Sequence, residues 1–254
     1  MFNDILVEFL SLFFSVVAVI AIIVSSIIIP ILYRNTKRKN LKWIYSGIIV
    51  VSIFVILLYI PWFFKNKALN SKADDDIIKY DIYAAKTAIL PPIKGYMYDR
   101  LAGDYLTIKK DLDKGIKYQE LACKYSKDSY DLYFLSYLYE VKGDYDKALN
   151  LIESSKGRPS RIAKIHFLKG DTDKALEILN KAIEGKDAGI WEYMYRANIY
   201  DYLGKSSLAQ KDYKKAIEIN PEAENYPIIK EIRGNKNYQF DAIKKARKLY
   251  NIEK

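Results

Sequence analysis

Two long apolar runs open the chain, at residues 9–33 and 43–64, and neither contains a charged side chain. From residue 65 onward the pattern changes to apolar positions recurring every three or four residues between charged ones, the period of helices with one buried face. Each apolar run exceeds the roughly 20 residues that an α-helix needs to cross a bilayer. Backbone groups in lipid must be satisfied within the segment, so both runs are predicted as helices. Tyr33, Trp43, Tyr45 and Trp62 stand at the run ends, where interfacial aromatics belong. Pro30 and Pro61 also lie near the ends, where a missing N–H disturbs little. The pattern predicts a transmembrane hairpin over residues 1–64, a linker over 65–73 and an all-helical domain over 74–254.

The hairpin's charges set its expected orientation. Arg34, Lys37, Arg38, Lys39 and Lys42 fill the short connection at 34–42, where they also suit lipid headgroups. Lys65, Lys67 and Lys72 flank the second run, and the start of the chain carries only Asp4 and Glu8. Short loops rich in Lys and Arg stay cytoplasmic, so the hairpin turn is expected inside and both termini outside. This places the helical domain on the extracytoplasmic side of a bacterial inner or plasma membrane. The acidic start also argues against a cleaved signal peptide, which begins with positive charge before a shorter apolar core. Ser11, Ser15, Ala18, Ala21 and Ser25 form a small-residue stripe suited to packing the first span against the second. Neither span holds an ionisable group, which argues against an ion or proton pathway.

Charge and candidate chemistry narrow the rest. Lys and Arg number 41 against 31 Asp and Glu, giving a net charge of +10. Downstream of the hairpin these charges alternate with acids, as on solvated helix faces, and no nucleic-acid motif accompanies them. Cys123 is the single cysteine, so no intramolecular disulfide forms, and His166 is the single histidine. No metal-ligand cluster, nucleophile with a base partner or phosphate-cradling loop follows from the remaining residues, so neither catalysis nor a cofactor is expected. The run Asp74, Asp75, Asp76 is read as charge favouring a helix start, before the apolar face of Ile78, Ile82, Ala85 and Ile89.

Internal repetition is the strongest signal. The octet from Lys142 to Leu149, KGDYDKAL, recurs from Lys169 to Leu176 as KGDTDKAL. A looser copy begins at Gly204, and the tetrad KAIE at Lys181 returns at Lys215, in both cases after a step of 34 residues. This resembles the tetratricopeptide repeat, over roughly residues 96–223. The resemblance implies helix–turn–helix units with Gly in the turn and small residues at the helix crossing. Ala148, Ala175 and Ala209 stand at the small position, and Asn220–Pro221 at the repeat end. Two departures are visible. The step from Gly143 to Gly170 is 27 residues, leaving a short first helix entered through Gly157 and Pro159, and the most N-terminal unit has Lys110 where the turn Gly belongs. The expected fold is an α-solenoid of three to four repeats. The segments around 74–90 and 240–250 close its ends.

In tetratricopeptide proteins the first helices line a groove that holds a peptide or helix. The positions so implied are Tyr130, Tyr133, Tyr137, Lys164, Phe167, Trp191, Met194, Asn198 and Asp201. Asn198 matches a position that the family uses to bond a ligand backbone, whereas Met194 departs from the lysine of the carboxylate clamp. A groove lined by Tyr and Trp suits an apolar or aromatic protein segment. The sequence therefore points to a membrane-anchored adaptor or scaffold that binds protein. Two other classes stay open at this level: an immunity or inhibitor protein capturing a toxin or effector, and an accessory subunit of a transporter.

Overall fold

The computed structural model describes Ile31 and residues 39–126, 128–185 and 188–252. The expected first span at 9–33, Ile31 apart, and most of the basic connection lie outside these residues. Among the described residues there are twelve α-helices, one short 3-10 turn and no strand. The chain divides into two compact units: one holds residues up to Lys109 with Lys117–Ser126, the other Lys110–Ile116 with Lys127–Lys254.

In the first unit, α1 (Lys39–Leu69) contains the apolar stretch Ser46–Leu69, 24 residues with a mean hydropathy of 2.6. Among the described residues this is the one helix long and apolar enough to cross a membrane. Val50, Val51, Ile53, Phe54 and Leu57 are exposed on it, unlike the side chains of a soluble core helix. The helix continues past residue 64 to Leu69 because nothing there breaks it, and its last turns pack on the unit. Phe64 lies 5.2 Å from the Tyr83 ring, Trp62 stacks on Tyr96 at 6.0 Å, and the Lys65 ammonium sits 4.7 Å from the Trp62 ring centre.

Helix α2 (Asp74–Thr87) carries Asp74, Asp75 and Asp76 in its first turn, and Asp75 pairs with Lys109 at 2.5 Å. The acidic run therefore does ordinary helix-start work. Helix α3 (Pro91–Thr107) begins at the Pro91–Pro92 pair that stops α2. Ile78, Ala84 and Ala85 of α2 meet Met97 and Leu101 of α3 in the core. Arg100 Nε donates to both oxygens of buried Asp81 at 2.9 Å. Burial, reinforced by Asp81, pushes the nearby Asp104 carboxyl up to about 8. Tyr98, Tyr105, Tyr118 and Tyr125 stack between α3 and α4 (Leu112–Ser126).

The second unit contains three antiparallel hairpins: α5 (Ser129–Lys142) with α6 (Tyr145–Ser154), α7 (Pro159–Lys169) with α8 (Thr172–Glu184), and α9 (Ile190–Tyr202) with α10 (Ser206–Ile219). Each turn has a glycine at positive φ: Gly143 at 90°, Gly170 at 99° and Gly204 at 74°. In the first, Asp144 N–H reaches back to Tyr139 O, a left-handed helix stop that glycine adopts without Cβ strain. Lys110 holds φ 54° at the corresponding point before α4. Ala148, Ala163, Ala175, Ala197, Ala209 and Ala216 are fully buried where helices approach closely. Ser136 ties α5 to α6 by donating to Ala148 O at 2.8 Å. The shortened unit is visible as α7, 11 residues against 14 for α5 and 13 for α9.

After a 3-10 turn at Pro221–Asn225 come α11 (Pro227–Gly234) and α12 (Tyr238–Leu249). Ile229 and Ile232 of α11 complete the core with Met194, Ala197, Tyr213 and Ala216, so α11 covers the last hairpin. The expectation that the segment near 240–250 closes the last repeat is thus met by a different helix. α12 instead returns across α5 and α7, because Phe240 and Arg247 find partners there.

Candidate protein-binding groove

The first helices α5, α7 and α9 of the second unit supply the implied groove positions. Tyr130 and Tyr133 open α5 and are exposed, at 68% and 43%. Aspartate at the N-cap fixes that end: Asp128 accepts from Tyr130 N–H at 2.9 Å. Trp191, at the start of α9, is half-buried and tilts against Tyr195 at 6.2 Å. With Lys156, Gly157, Arg158, Ser160, Arg161 and Ile228, the side chains of Tyr133, Trp191 and Tyr195 line a cavity of about 550 Å³. Burial raises the Tyr195 phenol well above its ordinary value, so this hydroxyl stays neutral. Three cations and no carboxylate appear among the lining side chains.

Gly157 makes the loop into this cavity possible. A Cβ there would sit 2.4 Å from Ile152 Cγ1, so only glycine lets the chain pass. Proline at the first position of α7 then starts the short helix and sets Arg161 one turn in. The Arg161 guanidinium lies 5.3 Å from the Tyr133 ring centre and 5.7 Å from that of Tyr137. It also pairs with Glu140 at 2.7 Å, and Lys164 pairs with the other oxygen of the same carboxylate at 2.6 Å. Burial pulls the Lys164 ammonium below its ordinary value, and Glu140 opposes that shift. One buried acid between two cations leaves a net positive charge beneath the tyrosines.

Four of the other implied positions are buried by the chain itself, and Tyr137 and Asp201 are half-buried. Phe167 is 1% exposed, with the Phe240 ring 4.9 Å away and Tyr202 at 5.1 Å. Met194 is wholly buried under α11. Asn198 is buried too, and its amide donates to Asn235 O at 3.0 Å and Ile232 O at 3.4 Å. Tyr137 is half-buried, its phenol raised by burial, with Tyr250 and Tyr238 among its neighbours. Asp201 acts on Tyr213, whose phenol burial and this carboxylate push upward. Lys164 is sequestered by Glu140. Of the nine positions, Tyr130 and Tyr133 are exposed, Tyr137, Trp191 and Asp201 are half-buried, and Lys164, Phe167, Met194 and Asn198 are buried.

Residues 160–184 and 190–222 match models of the tetratricopeptide repeat family. The first match spans α7 and α8, the shortened unit, and the second spans α9, α10 and the start of the 3-10 turn. No curated protein matches the chain. The matched repeats are modules that typically bind protein or peptide partners, and nothing in them points to catalysis. Among the described residues no group of His, Cys, Asp or Glu is arranged to hold a metal ion.

Sequence reading missed Glu140, Arg161, Tyr195, Ile228, Phe240 and Arg247. Tyr195 could have been found, since it falls one turn after Trp191 on the same helix. Glu140 also carried a signal, a charge among Leu138, Tyr139 and Val141 where the period calls for burial. Phe240 and Arg247 carried none, because their partners lie roughly 70 and 100 residues away in sequence.

Proposed function

We propose that the chain is a membrane-anchored adaptor that holds a protein segment in the accessible part of the groove, around Tyr133, Arg161, Trp191 and Tyr195. The observation that carries this reading is the cavity itself. It combines three aromatic walls with three cations, so its occupant presents an apolar side chain beside a carboxylate. The repeats supply the rigid frame, and α1 with the preceding apolar run supplies the anchor. The basic connection at 34–42 faces the cytoplasm and touches lipid headgroups, and the repeats project to the other side.

A photo-crosslinking residue placed at Tyr133 or Trp191 in the native cell is expected to trap the same protein. Placed at Leu208, on α10, it is expected to trap none. Equal labelling from all three positions would sink the reading. A reporter fused after Lys254 tests the topology: activity characteristic of the cytoplasm overturns the orientation.

A further inference from the structure

The C-terminal helix α12 lies where a groove ligand would lie, burying Ile243 and Ala246 and anchored by two specific side chains. Phe240 enters between Phe167 and Tyr202, with ring centres at 4.9 and 5.4 Å. Seven residues on, Arg247 Nε donates to Val141 O at 2.9 Å and its Nη2 approaches the Tyr145 hydroxyl at 3.0 Å. Val141 O belongs to the last turn of α5, where carbonyls lack intrahelical partners and the helix dipole favours a cation. Asn198, the side chain that the family resemblance assigns to a ligand backbone, holds the chain's own carbonyls at Ile232 and Asn235, at the entry to α12.

Two observations separate α12 from the rest of the unit. The last hairpin is covered chiefly by Ile229 and Ile232 of α11, to which α12 adds only the partly buried Tyr238. Gln239 of α12 is completely buried, yet both its amide oxygen and its amide nitrogen lack a hydrogen-bond partner. An unpaired buried amide opposes docking. Asn235–Asn237 links the two helices, and Lys244, Lys245 and Lys248 remain exposed on the outer face of α12. A link this short gives an effective concentration on the order of millimolar, so even a weakly held helix stays in place until a competitor arrives.

We propose that α12 is a displaceable ligand held in cis. The partner that takes this surface in trans is an amphipathic helix of the same chemistry, an aromatic side chain followed two turns later by an arginine. The proposal rests on reading the first helices as a protein-binding face. It concerns the covered half, and it makes occupancy of that half a competition between α12 and the incoming helix.

The test uses the full-length chain in detergent micelles. By hydrogen exchange, amides of residues 238–249 are expected to exchange at least about tenfold faster than those of α9 and α10, as a separately opening element does. Gln239→Leu is expected to slow them by about tenfold, by removing the unpaired amide. A labelled synthetic peptide of residues 236–252 is expected to bind the Phe240→Ala/Arg247→Ala chain. It should bind the wild-type chain at least about tenfold more weakly, because the tethered helix competes. A peptide carrying the same two alanines is expected to bind neither. Unchanged protection of α9 and α10 in the double variant establishes that its repeats are folded. Exchange of α12 in step with α9 and α10, or equal binding of the peptide to both chains, overturns the proposal. These readouts do not involve the cavity at Tyr133, so crosslinking there fails or succeeds independently.

Discussion

The two halves of the first-helix face in the second unit are built from the same kinds of residue and end in opposite states. Tyr130 and Tyr133 stand at the start of α5 and reach solvent, and half-buried Trp191 joins Tyr133 in lining a cavity rich in cations. Phe167 and Asn198 stand one to two turns further along, and each is taken up by α12 or by the link that precedes it, while Tyr137 is half-buried. Aromatic identity therefore does not tell a binding position from a core position. What tells them apart is whether the chain returns to cover it.

The same truncation is therefore expected to cost very different amounts on the two sides. Phe167→Ala removes a fully buried ring from contact with Phe240 and Tyr202, and should destabilise the second unit by about 3–5 kcal/mol. Chemical denaturation followed by circular dichroism reads this directly. Glu140→Gln leaves Arg161 and Lys164 without their shared carboxylate, at a cost of about 3–5 kcal/mol. Lowered thermal stability, not restored by salt, is the expected signature. Asn198→Ala should cost about 1–3 kcal/mol by orphaning carbonyls at Ile232 and Asn235. Faster exchange confined to α11 and α12 would place that loss correctly. Tyr130→Ala is expected to change stability by no more than about 0.5 kcal/mol, as an exposed side chain should. A melting point lowered as far as that of Asn198→Ala would erase the contrast between the halves.

Much of the fold was legible because its causes are local. Each helical hairpin stops at a Gly whose positive φ the repeated KGD and LGK turns announce, and buried Ala marks each close crossing. Even the departure at Lys110 is seen in the backbone, where that lysine takes the left-handed φ of 54°. Lys110→Gly is accordingly expected to raise stability by about 1 kcal/mol in a denaturation series. The candidate site was legible only in part. The tetratricopeptide resemblance puts Tyr133 and Trp191 on the inner face, yet it puts Phe167 and Asn198 there equally well. Nothing local reveals that α12 crosses back over α5 and α7, because that path depends on contacts between residues far apart in sequence.

The sequence by itself determined an apolar helix over 43–64, the helix–turn–helix period and the glycine stops. These follow from hydrophobic length, side-chain size and backbone sterics, which act within a few residues. Only the tertiary structure decided which inner-face residues stay open, that Glu140 is shared by two cations, and that the chain's own last helix occupies part of its groove. Those outcomes depend on desolvation and packing between distant segments, which a local pattern does not encode.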